Sequence, residues 1–238
     1  DLVVLDLEDA VKPADKEMAR EAALDAVKVD WRMPVAIRIN GVGTEWHSLD
    51  LDAVARSAAD VAVLPRAASS HLVREVREAI GKPLLAMIET AAGVLAAPSI
   101  AHEAAALIAG TNDLAADLRL PADAGRTPLQ MALQTIVLSA RAAGIAAFDG
   151  VFNRLTDPDG FAAEAKEGRQ LGFDGKSLIH PDQIEQCNQA FGPSEAEVER
   201  ARRLVDASTG GAERFEDQMI ERMHVEAARR TLVRARQS

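Results

Sequence analysis

Short apolar runs recur along this chain, and most of them are followed by a longer stretch in which apolar residues return at helical spacing. The runs centre near residues 3, 37, 63, 86, 108, 147 and 178. Short apolar runs that end at turn signals are typical of strands buried on both faces. Because most pairs of runs are separated by a segment long enough for a helix, the pattern predicts seven parallel strands joined by crossovers.

Several of the intervening segments also have the boundaries expected of helices. Predicted helices occupy about 14–27, 47–58, 69–80, 127–143 and 194–207. Ser194, with Glu197 three residues later, predicts a capping box at the start of the last of these. After a predicted hinge at Gly210-Gly211, a final helix is expected from Phe215 to Arg236. Its few apolar residues cannot form a core alone, so it must pack on another surface.

Two parallel α/β architectures fit this element order, a (β/α)8 barrel and a doubly wound sheet. The Gly-rich fingerprint of a dinucleotide-binding sheet is absent. Acids and arginines follow many different strands, which favours the TIM (β/α)8 barrel, whose sites collect residues from several strand ends. Seven strands leave such a barrel one short. We therefore expect its first strand and helix to lie upstream of Asp1.

Glu89 and Asp113 follow two successive predicted strands. The run from Leu84 to Ile88 ends in Glu89, and the run from Ala106 to Ala109 leads through Gly-Thr-Asn to Asp113. Parallel strands bring their carboxyl ends to one edge of the sheet, where α/β folds build their sites. Mg²⁺ takes one or two protein carboxylates and completes its shell with substrate and water. The sequence therefore predicts a Mg²⁺ site at Glu89 and Asp113, and the alternative is two solvated loop acids.

Carboxylates and an arginine also meet at the ends of the first two strands. Asp6, Glu8 and Asp9 follow the first run, and so many like charges require a cation, a hydrogen-bond donor or a raised pKa. Arg38 interrupts the second run, which is unusual for a charged residue unless it points into a site. It suits a substrate carboxylate or thioester oxygen, and the alternative is a salt bridge to the acids. Candidates to neutralise part of the acidic charge are Lys12, Lys16 and Arg20.

Four further residues stand at or beside strand ends. Arg66 follows the third run as a second candidate cation, and Asp149 follows the sixth. Lys176 belongs to the seventh run, and its position keeps it, with Asp149, near the expected site. His180 precedes Pro181, and we predict a structural role for it, with one ring nitrogen hydrogen-bonded to the backbone.

The composition limits the classes of protein. The chain has 238 residues, enough for one large α/β domain or two small ones. A net charge of −10, few aromatic residues and no Tyr argue against a general nucleic-acid binder. The single Cys187 excludes an internal disulfide. No apolar run reaches the length of a membrane span and no signal peptide is visible, so we expect a cytoplasmic protein without membrane or nucleic-acid partners.

Five stretches in order resemble a known family. They are VVLDLEDAV, IRINGVGTEWHSLDL, LLAMIETAAGV, GTNDLAADL and LGFDGKSLIHPDQI. They resemble the CitE-like branch of the HpcH/HpaI aldolase superfamily, which includes citrate lyase β subunits, malyl-CoA and citramalyl-CoA lyases and related thioesterases. The resemblance extends from Asp1 to about Ala207. It implies a modified TIM barrel that binds Mg²⁺ through Glu89 and Asp113.

The resemblance also implies roles for other residues. Arg38 would contact the carboxylate or carbonyl of the substrate, and Glu8 and Asp9 match an acidic pair behind the metal-bound waters. The family's tail commonly carries an MID-like motif whose Asp reaches the site of a neighbouring subunit, and here Glu221 stands at that position. In the family, the strand after the one that carries the Arg commonly ends in Pro-Lys, where this chain has Pro65-Arg66.

The implied chemistry is reversible cleavage of a 3-hydroxyacyl-CoA, such as citryl-, malyl- or citramalyl-CoA, to acetyl-CoA and a 2-oxo acid. Arg38 would stabilise the thioester enolate, and Glu221 or Glu8 would take the hydroxyl proton. Arg66, Asp149 and Lys176 would line the substrate site. The alternatives are thioester hydrolysis or CoA-independent aldol cleavage on the same scaffold, and a non-catalytic partner subunit.

The resemblance also suggests a domain division and an assembly. Residues 1–207 would form the barrel with the Mg²⁺ and acyl-CoA site, and 208–238 a hinge with a helical lid or oligomerisation tail. If the hinge lets the tail cover a neighbour's site, the protein is a homotrimer or hexamer. The alternative is a tail folded onto its own barrel.

Overall fold

Seven short strands form one sheet in the computed structural model, which describes residues 1–235. Their bounds are β1 (Val3–Asp6), β2 (Val35–Arg38), β3 (Val61–Leu64), β4 (Leu84–Ile88), β5 (Ala106–Ala109), β6 (Ala146–Asp149) and β7 (Gly175–Lys176). The strands lie in sequence order, and each pairs in parallel with the next. The predicted parallel α/β sheet is therefore confirmed.

Two features of the sheet differ from the sequence prediction. In the described residues β1 and β7 are the two edge strands, so the sheet is an open half-barrel and the closed (β/α)8 barrel is not shown. The last strand is also shorter and earlier than the run predicted near residue 178, because only Gly175 and Lys176 pair with β6. Strand pairing depends on a neighbour's backbone, which an apolar run does not reveal.

Helices follow most of the strands. They are α1 (Lys16–Ala26), α2 (His47–Arg56), α3 (Ser70–Ile80), α4 (Ala91–Ala101), α5 (Thr111–Asp117), α6 (Gln130–Ala143), α7 (Pro158–Leu171), α8 (Ile184–Phe191), α9 (Glu195–Ala207) and α10 (Arg222–Arg234). Short 3₁₀ turns precede three of them, at Pro13–Asp15, Thr127–Leu129 and Pro181–Gln183. Within the described residues, no helix is long and apolar enough to span a membrane.

The strands are apolar at successive positions because both faces of the sheet are covered. One face contributes a core cluster of buried residues: Ala36, Val63, Leu85, Ala106 and Ile108. The alternate positions Ile37, Leu64 and Leu107 are fully buried as well. This is the pattern of a parallel sheet packed on both sides, and it explains why the strands appear in the sequence as continuous apolar runs.

The chain divides into two compact units. The first comprises residues 1–151 and 170–177 and contains the sheet, and the second comprises residues 152–169 and the chain from 178 onward. In the second unit the predicted capping box of α9 is confirmed, because the Ser194 hydroxyl accepts from Glu197 N–H and the Glu197 carboxylate from Ser194 N–H.

The tail differs from the single helix predicted over Phe215 to Arg236. An antiparallel hairpin forms first, from β8 (Glu213–Phe215) and β9 (Gln218–Ile220), and α10 starts only at Arg222. Arg236 lies outside the described residues. Hairpin, α10 and α9 share a small core of Ala201, Leu204, Phe215, Ile220, Val225 and Ala228. The tail thus finds its packing partner in α9 of the same chain, and Met219 and Met223 remain exposed.

Candidate active site

The sheet face that carries the core cluster becomes polar at the carboxyl ends of its strands. Side chains two residues apart in a strand lie on the same face of the sheet. Arg38 therefore lies on the face of Ala36, and Glu89 on the face of Met87. In the register of β1 and β2, Asp6 lies opposite Arg38. Strand alternation and register therefore bring Asp6, Arg38 and Glu89 to the same face of the sheet, at the carboxyl ends of its strands.

Arg38 is fixed by two carboxylates of the first strand end. Its Nε and Nη2 donate to the two oxygens of Asp6, both at 2.6 Å, and its Nη1 lies 2.9 Å from Glu8 Oε2 and 3.9 Å from Asp9 Oδ2. Burial alone opposes the charge, but the hydrogen bonds and charges of these acids outweigh it and raise the pKa of Arg38. For Asp6, burial raises the pKa, and Arg38 more than reverses this and lowers it. The salt bridge to the acids is therefore present, and it pre-orients the guanidinium.

Glu8 has a buried oxygen whose hydrogen-bonding capacity is not used. Although Arg38 Nη1 is close, its hydrogen is not directed at Oε2, which accepts no hydrogen bond from the described residues. Burial raises the pKa of Glu8 to about 7, Arg38 lowers it, and the charges of Asp9, Asp6 and Asp113 add to the rise. A buried carboxylate oxygen of this kind is suited to a cation or to a proton.

Glu89 is buried at the end of β4, with 2% of the residue exposed. Its Oε1 accepts the backbone N–H of Arg66 at 2.6 Å. Arg66 has a φ of 50°, an unusual value for a residue other than Gly. Burial raises the pKa of Glu89 to about 7, the Arg66 hydrogen bond opposes this, and the charges of Asp113 and Glu8 add to it.

Asp113 lies in the first turn of α5 and is 40% exposed at the side chain. Its Oδ1 is 3.5 Å from Nη1 of Arg66, whose side chain is also exposed. Because Asp113 raises the pKa of both Glu8 and Glu89, the three carboxylates interact electrostatically. The prediction that Asp113 and Glu89 reach the same edge of the sheet agrees with this arrangement.

The residues fit a magnesium ion whose coordination shell is supplied only in part by the protein and is completed by substrate and water. Among the described residues, no three of His, Cys, Asp and Glu form a complete metal-ligand group. Glu89 and Asp113 nevertheless supply the two hard carboxylates that Mg²⁺ uses, and the unbonded Glu8 oxygen can accept a hydrogen bond from a metal-bound water. A cation here would also relieve repulsion among the carboxylates.

Gly110 leaves the space that the Glu89 side chain occupies. A Cβ added at Gly110 would overlap Cβ and Oε2 of Glu89. We therefore expect Gly110→Ala to displace the carboxylate and weaken Mg²⁺ binding by about 10- to 100-fold, as losing support for a metal ligand does. Isothermal titration with Mg²⁺ measures the change. Gly41→Ala is the control, because its Cβ would make only ordinary contacts at 3.9 Å and 4.0 Å; equal affinities in both variants would contradict the prediction.

Asp149 and Lys176 form a second buried cluster with Arg126. Arg126 Nη2 and Lys176 Nζ lie 2.8 Å and 3.3 Å from the two oxygens of Asp149, and the Asp149 and Lys176 side chains are fully buried. Strand alternation places Asp149 opposite in direction to Phe148, which packs on the core-cluster face. Sequence reasoning missed Arg126, because an Arg in a loop has no pattern that distinguishes it from a surface residue.

The buried carboxylate of Asp149 should contribute strongly to the stability of the fold. Asp149→Ala would leave two cations near each other without their common carboxylate, so we expect a loss of about 3–5 kcal/mol in the free energy of unfolding. Asp25→Ala, which removes the exposed partner of Lys28, should cost less than about 1 kcal/mol. Urea denaturation of both variants measures the difference. If Asp149→Ala loses no more free energy of unfolding than Asp25→Ala does, the prediction is wrong.

Two other predicted residues lie in the second unit. Asp182 N–H donates to His180 Nδ1 at 3.3 Å, which caps a 3₁₀ turn, so the predicted structural role of His180 is confirmed. Glu221 is the N-cap of α10, and its own N–H donates to His224 Nδ1 at 3.0 Å. Its expected contact with a neighbouring subunit stays a prediction.

The fold and these residues together define a parallel α/β protein with an acidic, arginine-containing site at the carboxyl ends of its strands. The sequence profile of the HpcH/HpaI aldolase/citrate lyase family matches residues 1–181. The chain belongs to this family.

Individual relatives agree with this assignment. The chain is 40% identical over 248 residues to a (3S)-malyl-CoA thioesterase of Cereibacter sphaeroides, covering 99% of this chain and 86% of that protein. It is 34% identical to a citrate lyase subunit beta of Leuconostoc mesenteroides, covering 98% and 84%. The crystal structure of CitE from Mycobacterium tuberculosis in complex with magnesium, acetoacetate and coenzyme A is similar with a TM-score of 0.87 and 35% identity, covering 99% and 90%.

Proposed function

We propose that this protein is a Mg²⁺-dependent enzyme that acts on 3-hydroxyacyl-CoA thioesters and cleaves, or in reverse forms, a carbon–carbon bond. The observation that carries the proposal is the placement of Arg38, held by Asp6 and Glu8, on the same strand-end face as Glu89. The relatives named for malyl-CoA and citrate chemistry, and the magnesium complex of CitE, support the substrate class and the metal.

Each residue has a defined role in this proposal. Glu89 and Asp113 hold the metal, which when bound would supply positive charge to the oxygen that becomes a carbonyl. Arg38, fixed by Asp6, presents its guanidinium to the thioester oxygen as negative charge develops there. Glu8, or Glu221 from another chain, accepts the hydroxyl proton. The bond between C2 and C3 of the acyl group then breaks to give a 2-oxo acid and the acetyl-CoA enolate, which is protonated to acetyl-CoA.

Thioester hydrolysis is the second candidate, and two observations favour it. A 40%-identical relative is named as a thioesterase, and Glu221 is one methylene longer than the Asp of the MID-like motif. In this reaction water adds to the thioester carbonyl, and free CoA and the carboxylic acid leave. The charged residues of the site argue against a non-catalytic subunit, because buried carboxylates without a chemical role are costly.

Incubation of purified protein with malyl-CoA, citramalyl-CoA or citryl-CoA distinguishes these reactions. Acetyl-CoA and a 2-oxo acid, detected by mass spectrometry, would establish lyase activity, whereas free CoA and the hydroxy acid would establish thioesterase activity. Either activity should be lost with EDTA and restored by Mg²⁺. If no CoA thioester is consumed with Mg²⁺ present but a free hydroxy acid is cleaved, the protein is a CoA-independent aldolase.

We also propose the larger architecture and surroundings of the site. The sequence-ordered parallel sheet supports a (β/α)8 barrel, because a doubly wound sheet reverses its strand order. The division at residue 207, a cytoplasmic location and the absence of nucleic-acid partners stay predictions from the sequence.

We expect a homotrimer or hexamer in which Glu221 lies near another chain's site. Truncation before Gly210 would uncover α9, so a sharper test replaces Met219 and Met223, which are 68% and 61% exposed beside Glu221. Met219→Glu with Met223→Glu should yield a monomer by light scattering, because charges are excluded from apolar interfaces. Met18→Glu, at a position 65% exposed on α1, is the control. A monomeric wild type, or an unchanged mass in the double variant, would contradict the prediction.

A further inference from the structure

A buried lysine lies against the turn that carries the acidic residues. Lys16 is 6% exposed, at the start of α1. Its Nζ donates to the backbone carbonyls of Leu7 and Glu8, both at 2.7 Å, and to Oδ1 of Asn40 at 2.6 Å. The ring of Trp46 lies 5.2 Å from the same nitrogen. An ammonium group has three hydrogens, so these three acceptors use all of them.

The acceptors are themselves held by a second buried group. Asp50 is fully buried, and one of its oxygens accepts from Asn40 N–H at 2.9 Å and from Asn40 Nδ2 at 2.6 Å. Its other oxygen accepts from Arg20 Nε at 2.7 Å. The side-chain amide of Asn40 therefore bridges the two residues, because it accepts a hydrogen bond from Lys16 and donates one to Asp50. The network is buried and hydrogen-bonded at each of these atoms, which makes it rigid.

The network holds the two chain segments that bring Glu8 and Arg38 together. The carbonyls of Leu7 and Glu8 lie in the turn from which the Glu8 side chain reaches Arg38. Asn40 is two residues beyond Arg38, so its amide fixes the course of the chain directly after the arginine. Lys16 is thus hydrogen-bonded to chain segments on both sides of the Arg38–Glu8 pair, and its three acceptors include neither of those two side chains.

We propose that Lys16 is a positioning residue that sets the distance between Arg38 and Glu8; this rests on the function proposed above. A point cation with three hydrogens can collect three acceptors around one nitrogen, whereas the planar fork of Arg cannot. The acceptors belong to the segments that supply the site, so the consequence of losing Lys16 is a displaced Arg38–Glu8 pair. A displacement of about 1 Å at a reacting group can lower the rate by about 100-fold.

Steady-state kinetics of Lys16→Met tests this on the CoA thioester that the wild type consumes. We expect kcat to fall by about 100-fold with little change in KM, because a misplaced Arg38 fails mainly when charge develops in the transition state. Lys82→Met is the matched control. Lys82 is a partly buried lysine whose Nζ donates to the backbone carbonyl of Ser57 at 3.0 Å, outside the network that holds Glu8 and Arg38, so its loss should leave the wild-type kcat unchanged. Unchanged kcat in Lys16→Met, or an equal fall in both variants, would overturn the proposal.

Crystal structures provide a readout that does not need turnover. In Lys16→Met the separation of Arg38 Nη1 and Glu8 Oε2, 2.9 Å in the native chain, should exceed hydrogen-bond range, about 3.5 Å. A wild type inactive on every thioester would count against the proposed function, and this distance would then decide the role of Lys16. If Lys16→Met does not fold, Lys16→Arg keeps the charge but not the three-acceptor geometry. It should show the same kcat loss and the same separation, and native values of both would overturn the proposal.

Discussion

Glu89→Gln is expected to abolish Mg²⁺ binding in the millimolar range and to lower kcat/KM by about 1,000-fold, which corresponds to about 4 kcal/mol. Gln has the size of Glu and can still accept the Arg66 N–H through its oxygen, so the fold should be retained. It lacks the negative charge that makes Glu89 a ligand for a hard cation. Metal titration and turnover assays measure both effects.

The control for this prediction is Glu75→Gln, at an exposed acid on α3 that contacts His71. It should bind Mg²⁺ and turn over substrate as the wild type does. Wild-type metal affinity in Glu89→Gln would show that Glu89 is not a metal ligand. Wild-type activity with EDTA present would show that the reaction does not need the metal.

In EDTA the same substitution should change the pH dependence of stability. Burial raises the pKa of Glu89 to about 7 from an ordinary 4.5. The folded state therefore binds more protons than the unfolded state between these values, and stability falls as the pH rises through this window. Gln removes that loss, so Glu89→Gln should exceed the wild type in urea midpoint at pH 8 and equal it near pH 4. A variant less stable than the wild type at pH 8 would contradict the raised pKa.

Arg38→Lys should lower kcat/KM by about 100- to 1,000-fold, the usual effect of removing one donor to a developing oxyanion. Arg38 binds both oxygens of Asp6, and its Nη1 lies 2.9 Å from Glu8 Oε2. A Lys ammonium has the charge but not the planar fork, so it cannot keep these contacts and also face the substrate. Because the charge is preserved, the fold should remain intact by circular dichroism.

The matched control is Arg74→Lys, which changes an exposed arginine that binds Glu103 on the surface. Its kcat/KM should equal that of the wild type. Wild-type turnover in Arg38→Lys would eliminate the assigned role of the guanidinium, and a loss of folded structure would show that Arg38 acts first as a structural residue.

Short-range pattern was enough to locate most of the strands and the residues at their ends. Continuous apolar runs arise from burial on both faces of a parallel sheet, and this requirement acts on each strand separately. Glu89 and Asp113 were identified because they end or follow such runs, and Arg38 because a charge inside one is unusual. The register of parallel strands then brings their ends to one edge whatever the details of packing.

The partners of these residues were decided by tertiary structure. Arg38 and Asp6 are 32 residues apart, Lys16 and Asn40 are 24 apart, and Arg126 and Asp149 are 23 apart. Such pairs depend on the register and direction of side chains from different elements, which periodicity within one element does not encode. The space that Gly110 leaves for the Glu89 side chain likewise depends on how two different elements pack.

The tail illustrates the same division. Its sequence determined that it must be covered, since Ile220 and Leu232 are too few to form a core alone. The hairpin at β8 and β9 was not evident, because two three-residue strands have no periodicity to detect and are stabilised by packing against α9. The sequence by itself thus determined which segments need burial and which charged groups stand at strand ends. The tertiary structure decided what covers each segment and which groups meet, because both depend on contacts between residues distant in the chain.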